Sequence, residues 1–304
     1  MISFRYHIVS VVAIFLALAL GIVVGTTALS GPVTHDLRSQ VSDLKGDRSH
    51  LAAQVNSLQG EVDTAGQFAT TFGAQLVANT LTSKPVLVIA LPGVSTGMQD
   101  AVTSQLTAAG AKITGKLDLA AAYTDPAQSN SIITLATGPA HPMSISLPET
   151  SDARVVGAAL LAAVLTGHGQ ATDLKTVLSG FSGLHMITSD PSGIEPATTV
   201  VVLGSGSLPK NSYAGLAQMD LIGQLVGKGA KVVVAGDAGS AQGNGIVALV
   251  RNGAAKSAVS TVDNADTPFG QVSTTLAVAG ALKSQYGQYG QGKGAEALFP
   301  TPAK

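Results

Sequence analysis

The 304-residue sequence predicts an α/β protein carried by an N-terminal transmembrane helix and a coiled-coil stalk. Three observations predict it. Over residues 8–24 the sole polar side chain is Ser10. After Pro32 a 3–4 apolar spacing holds for more than four heptads. Beyond Lys84 and Pro85, short apolar runs alternate with amphipathic or Ala-rich stretches, the pattern of a mainly parallel sheet with helices on both faces.

Composition narrows the function classes. Charged residues make up 12% of the chain, about half the usual share of roughly 25%. The net charge of −1 offers nothing to a phosphate backbone, so nucleic acid is not an expected partner. There is no Cys, which excludes disulfides, thiolate nucleophiles, Fe–S clusters and Cys-ligated zinc. With 45% hydrophobic residues, the chain is too apolar for charge-rich disorder.

Residues 1–30 read as a short cytoplasmic head and a membrane span. The apolar stretch 8–29 would reach about 33 Å as a helix, enough for a hydrocarbon core of about 30 Å. A cleaved signal peptide is the alternative, but its apolar region runs only about 7–15 residues. Arg5 lies in the head, whereas the far flank mixes Asp36, Arg38, Asp43, Lys45, Asp47 and Arg48. The positive-inside rule therefore places the N-terminus in the cytoplasm and the bulk of the chain outside.

Residues 31–80 read as the stalk. Leu37, Leu44, Leu51 and Leu58 fall at d, and Val41, Arg48, Val55 and Val62 at a. Val at a with Leu at d favours a parallel two-stranded coil, so the expected partner is a second copy, joined through Leu37, Val41, Leu44, Leu51, Val55 and Leu58. Arg48 at an a position costs stability but penalises other registers.

Residues 84–284 read as the α/β domain. Strands are expected at 86–91, 111–119, 132–136, 184–188, 198–203, 231–235 and 258–262. Helices are expected at 98–109, 151–165, 173–178, 213–226 and 269–282, with a turn or two at 246–250. Residues 285–304 open with the low-complexity QYGQYGQGKG and read as an irregular Gly-rich tail. An outer-membrane barrel needs many alternating segments with aromatic girdles. Twelve Phe and Tyr with long Ala-rich helices do not supply them.

Candidate chemistry is sparse. Gly93, Ser95 and Gly97 match G-x-S-x-G between a strand and a helix, as in a nucleophile elbow. The match follows the domain's first strand, however, and the last His is His185, so a tight Gly turn is the better account. Gly204-Ser205-Gly206 and the turn at Gly236 do not complete a dinucleotide fingerprint. No catalytic residue and no enzyme activity are expected. His141 with Met143, and His185 with Met186, pair imidazole with thioether, a ligand mix that suits Cu(I). Neither pair completes a site, and adjacent strand residues such as His185 and Met186 face opposite ways. In a parallel sheet the strand C-termini share one edge. Asp190, Asp237, Asp263 and Asn264 each follow an apolar run, so they are expected together on that rim as a ligand or partner site.

The head MISFRYH running into ALALGIVVG is similar to the opening of the actinobacterial MctB family, as are Leu91-Pro92-Gly93, TVDNADT at 261–267 and YGQGKGA at 289–295. The resemblance spans nearly the whole chain. It implies an N-terminal anchor, a coiled stalk, an envelope domain and a role in copper export or tolerance at the envelope, described for the family as outer-membrane. Copper is the one cofactor it implies. A corynebacterial member is associated with cell separation and control of cell-wall hydrolases. The alternative implied function is thus a coiled-coil scaffold or regulator for an envelope protein partner.

Overall fold

The computed structural model describes residues 4–138 and 142–301. The chain divides into two compact units, Met1–Thr64 and Ala65–Lys304. A single helix, α1 (Phe4–Val77), forms the first and opens the second, running unbroken through Pro32. Its stretch Phe4–Thr26 is long and apolar enough to cross a membrane: 23 residues rise about 35 Å. Farther along, Leu37, Val41, Leu44, Leu51, Val55 and Leu58 are 49–66% exposed. Within the second unit the helix is two-sided. Ala69 and Val77 are buried, and Gly73 lies so close to Gln105 and Val272 that a Cβ there would collide with both. Phe68, Phe72 and Leu76 stay exposed, the two rings 4.8 Å apart.

The second unit is built on six strands: β1 (Pro85–Ala90), β2 (Lys112–Asp118), β3 (Thr199–Gly204), β4 (Lys231–Gly236), β5 (Val259–Val262) and β6 (Gln288–Tyr289). They pair in the order β2-β1-β3-β4-β5-β6, all parallel. The central strands are apolar at nearly every position because both faces are covered. Leu87, Ile89, Val200, Val202, Val232 and Val234 face one layer. That layer holds α3 (Ser129–Thr137), α4 (Ala153–Leu165), α5 (Ala171–Gly183), α6 (Tyr213–Gly227) and α7 (Ile246–Asn252). Val86, Val88, Val201, Leu203, Val233 and Ala235 face the other, formed by α2 (Thr96–Ala108), α8 (Pro268–Leu282) and the end of α1. The Ala-rich α4 is apolar nearly all round, and it is correspondingly enclosed by α3, α5 and α6.

Three expectations need correction. Residues 132–136 are helical, in α3. Their β-branched composition suggests a strand, but Ile132 and Ala136, one turn apart, both point into the core. Gly157 of α4 makes room for Ile132, since a Cβ there would fall 2.7 Å from it. Residues 184–188 form no strand. Leu184 caps α5, His185 turns left-handed at φ 56°, and Ile187 makes one antiparallel bridge to Leu119. From there the chain runs back along the outer edge of β2, where the Glu195 amide donates to the Thr114 carbonyl at 2.7 Å. This covers an edge that would otherwise be open. The Gly-rich segment, expected to be irregular, instead supplies β6 and closes the opposite edge.

Candidate functional site

Beyond β1, the chain places β2 on one side and β3 on the other. The strand order therefore reverses between β1 and β3, and ligands in such sheets bind outside the strand C-termini. On this rim Gly93 and Gly206 adopt positive φ, 96° and 64°. The Ser95 hydroxyl caps α2, accepting from the Met98 amide at 3.2 Å. The G-x-S-x-G match thus forms a strand-to-helix turn with a helix cap.

Asp237, after β4, ties two turns together. Its carboxylate accepts from Ser205 Oγ at 2.6 Å, the Gly206 amide at 2.9 Å and the Ser240 amide at 2.8 Å. Burial works to raise this carboxyl, but the bonds from Ser205, Gly206, Ser240 and Gly239 outweigh it and hold it below the usual carboxylate range. Asp266 moves the other way: burial pushes its carboxyl up, and the nearby Asp237 charge adds to the effect.

Asp263, after β5, is buried. Arg251 of α7 donates to it at 2.8 Å, and the Gln291 and Gly292 amides donate at 2.9 and 2.7 Å. Arg251 also donates to Thr261 Oγ1, the Tyr289 carbonyl and the Lys293 carbonyl. Gly290, at φ 125°, is required here, because a Cβ would overlap the carboxylate. The TVDNADT and YGQGKGA segments are therefore two walls of one ion-paired enclosure. Asn264 follows Asp263, its backbone packed on Gly270 and its side-chain Oδ1 buried without a hydrogen-bond partner.

The rim carboxylates are therefore placed separately. Asp237 and Asp263 end neighbouring parallel strands, but each is held by donors of its own chain. Asp190 is not with them. It lies in the segment along the edge of β2, where its carboxylate accepts from the Ser192 amide at 2.9 Å, a bond that draws it below its usual range. The candidate copper ligands are also dispersed. Met186 is wholly buried in the core, His185 is exposed on its left-handed turn, and Met143 is fully exposed. His141 lies outside the described residues. Among the described residues no group of three or more His, Cys, Asp or Glu side chains could hold a metal ion.

Sequence reasoning missed Arg251. The signal was a lone Arg ending the apolar IVALV run in a chain poor in charge. It also missed the cluster in which Arg154 binds Asp152 at 2.6 Å and Asp220 at 3.3 Å, under the Tyr213 ring. Burial raises the Asp220 carboxyl there against the pull of Arg154.

Residues 1–300 match the family model described as "Copper transport outer membrane protein, MctB". The protein named Copper transporter MctB of Mycobacterium tuberculosis is 28% identical over 307 residues, covering 97% of this chain and 98% of that protein. The Mycobacterium leprae protein of the same name is 28% identical over 313 residues, covering 98% of this chain and 99% of that one. With a match along almost the whole of its length, this chain, a membrane-length apolar helix followed by a six-stranded parallel α/β unit, belongs to the MctB family.

Proposed function

We propose that this chain is a single-pass, non-catalytic envelope protein that works in copper homeostasis as a parallel dimer. Its N-terminus is cytoplasmic, its span is retained, and its α/β unit stands outside. The observation that carries the dimer is the stripe Leu37, Val41, Leu44, Leu51, Val55 and Leu58, exposed at heptad spacing on the same helix as the apolar stretch Phe4–Thr26. Two chains that leave one membrane on the same side meet in parallel. The copper role comes from the relatives, whose names state copper transport.

The test is genetic and biochemical together. A strain lacking the gene should lose copper tolerance and regain it with the full chain. The Leu44→Asp, Leu51→Asp double variant should fail to restore it. Unchanged tolerance in the deleted strain would remove the copper role. The alternative, a scaffold or regulator of a cell-wall hydrolase, draws on exposed Phe68, Phe72 and Leu76, an apolar grip for a protein partner on the second unit. Co-purification of a peptidoglycan hydrolase with the full chain, lost when Phe68 and Phe72 are changed to Ser, would favour it.

A further inference from the structure

Arg48 is the one charged residue among the heptad positions 37, 41, 44, 48, 51, 55, 58 and 62, and Asp47 precedes it. Neither is matched within its own helix. Side chains meet on a helix at i±3 and i±4. For Arg48 those neighbours are Leu44, Lys45, Leu51 and Ala52; for Asp47 they are Asp43, Leu44, His50 and Leu51. Arg48 thus has no carboxylate beside it, and Asp47 has no Lys or Arg. No ion pair involves either residue among the described residues.

A second copy changes this. In a parallel coiled coil a knob at a enters a hole of four residues on the facing helix: the preceding d and g, the same a, and the following d. For Arg48 these are the second copy's Leu44, Asp47, Arg48 and Leu51. The residue that lacks a carboxylate in its own helix is thus seated beside one across the seam. Asp47 at g faces Ala52 at the partner's e position, so no other cation competes for it. The remaining g-to-e pairings, Gln40 with Lys45, Gln54 with Gln59 and Glu61 with Gly66, set no like charges together. An antiparallel pairing faces a against d, and a parallel pairing slipped by a heptad faces Arg48 with Val41 or Val55 and seats it beside Gln40 or Gln54, leaving the charge without a carboxylate.

We infer that two reciprocal Arg48–Asp47 pairs between copies fix the stalk as a parallel, in-register dimer. The inference rests on the dimer reading above and adds to it a specific recognition element.

The experiment uses the full chain in membranes, with a single Val55→Cys at a neighbouring a position as reporter; the chain has no other Cys. Two differently tagged copies are co-expressed, one carrying Asp47→Arg and the other Arg48→Asp. Each alone gathers four like charges at the seam, so its own disulfide-linked dimer should fall well below that of the V55C chain. Together they restore opposite charges across the seam, and the ratio of mixed to self-linked dimers should exceed the statistical ratio about tenfold. The D47R/R48D double variant should recover crosslinking. A statistical mixture, with V55C itself crosslinking well, would overturn the charge pairs and leave the dimer standing. No crosslink from V55C would overturn the dimer, and this inference with it.

Discussion

Along α1, the large apolar side chains of the heptad stripe stand 49–66% exposed, whereas in the α/β unit Val200, Val201, Val202 and Leu203 of β3 are wholly buried. The two regions draw on the same residue types. The difference lies in period. Strand residues alternate between two faces, and this chain brings its own helices to both. The stripe on α1 repeats every 3.5 residues on one face, and among the described residues of Met1–Thr64 there is no other element to cover it. Most helix stability in water comes from packing an apolar face; the second unit supplies that packing itself, and in the proposed reading a membrane and a second helix supply it to the first. Charges follow the same division. Asp263 and Arg251 are paired and buried within the chain, while Asp47 and Arg48 have no such partners in theirs.

The contrast can be broken at either end. The largest effect is expected from Asp263→Asn, which leaves the Arg251 charge buried without its counter-ion, at a cost of about 3–5 kcal/mol. Thermal unfolding of the full chain in detergent should show a destabilised α/β unit, while crosslinking in the stalk persists. Leu44→Asp with Leu51→Asp should do the converse. Charges buried in the seam would abolish the dimer, and sedimentation in detergent should report monomers whose α/β unit unfolds as in the wild type.

Asp237→Asn is a smaller lesion, about 1–3 kcal/mol, because it weakens the bonds joining the turns after β3 and β4. Its sign with pH is fixed. The folded carboxyl lies below the unfolded value, so the stabilisation it gives is present above a pH of about 4 and fades as pH falls through the folded value. Denaturant midpoints of wild type and D237N should therefore converge in acid. Ser95→Ala removes the cap of α2 and should cost about 1 kcal/mol, read from the same midpoints.

Much of the fold was legible because burial on both faces leaves uninterrupted apolar runs in β1, β3 and β4, while β2 shows as an alternating, half-buried stretch. The misreadings share a cause. Residues 132–136 carry β-branched side chains but pack as a helix with Ile132 against Gly157, and no local pattern reports a contact with residue 157. The single bridge at Ile187 depends on a left-handed turn at His185. The rim followed from parallel strand direction for Asp237 and Asp263, yet their partners, Ser205 and Arg251, are 32 and 12 residues away. Asp190 went elsewhere because the run before it was not a strand. The helix that carries the heptad stripe was legible, since its period is written in one local stretch.

The measurement that tests the central claim most directly is disulfide formation in native membranes by the full chain carrying one introduced Cys. In the proposed dimer Val55 lies at a, in the seam, and Ala53 at f, on the outside of the coil. A parallel in-register dimer predicts a covalent dimer from Val55→Cys under mild oxidation and none from Ala53→Cys. Equal crosslinking from both positions, or none from Val55→Cys, would contradict it.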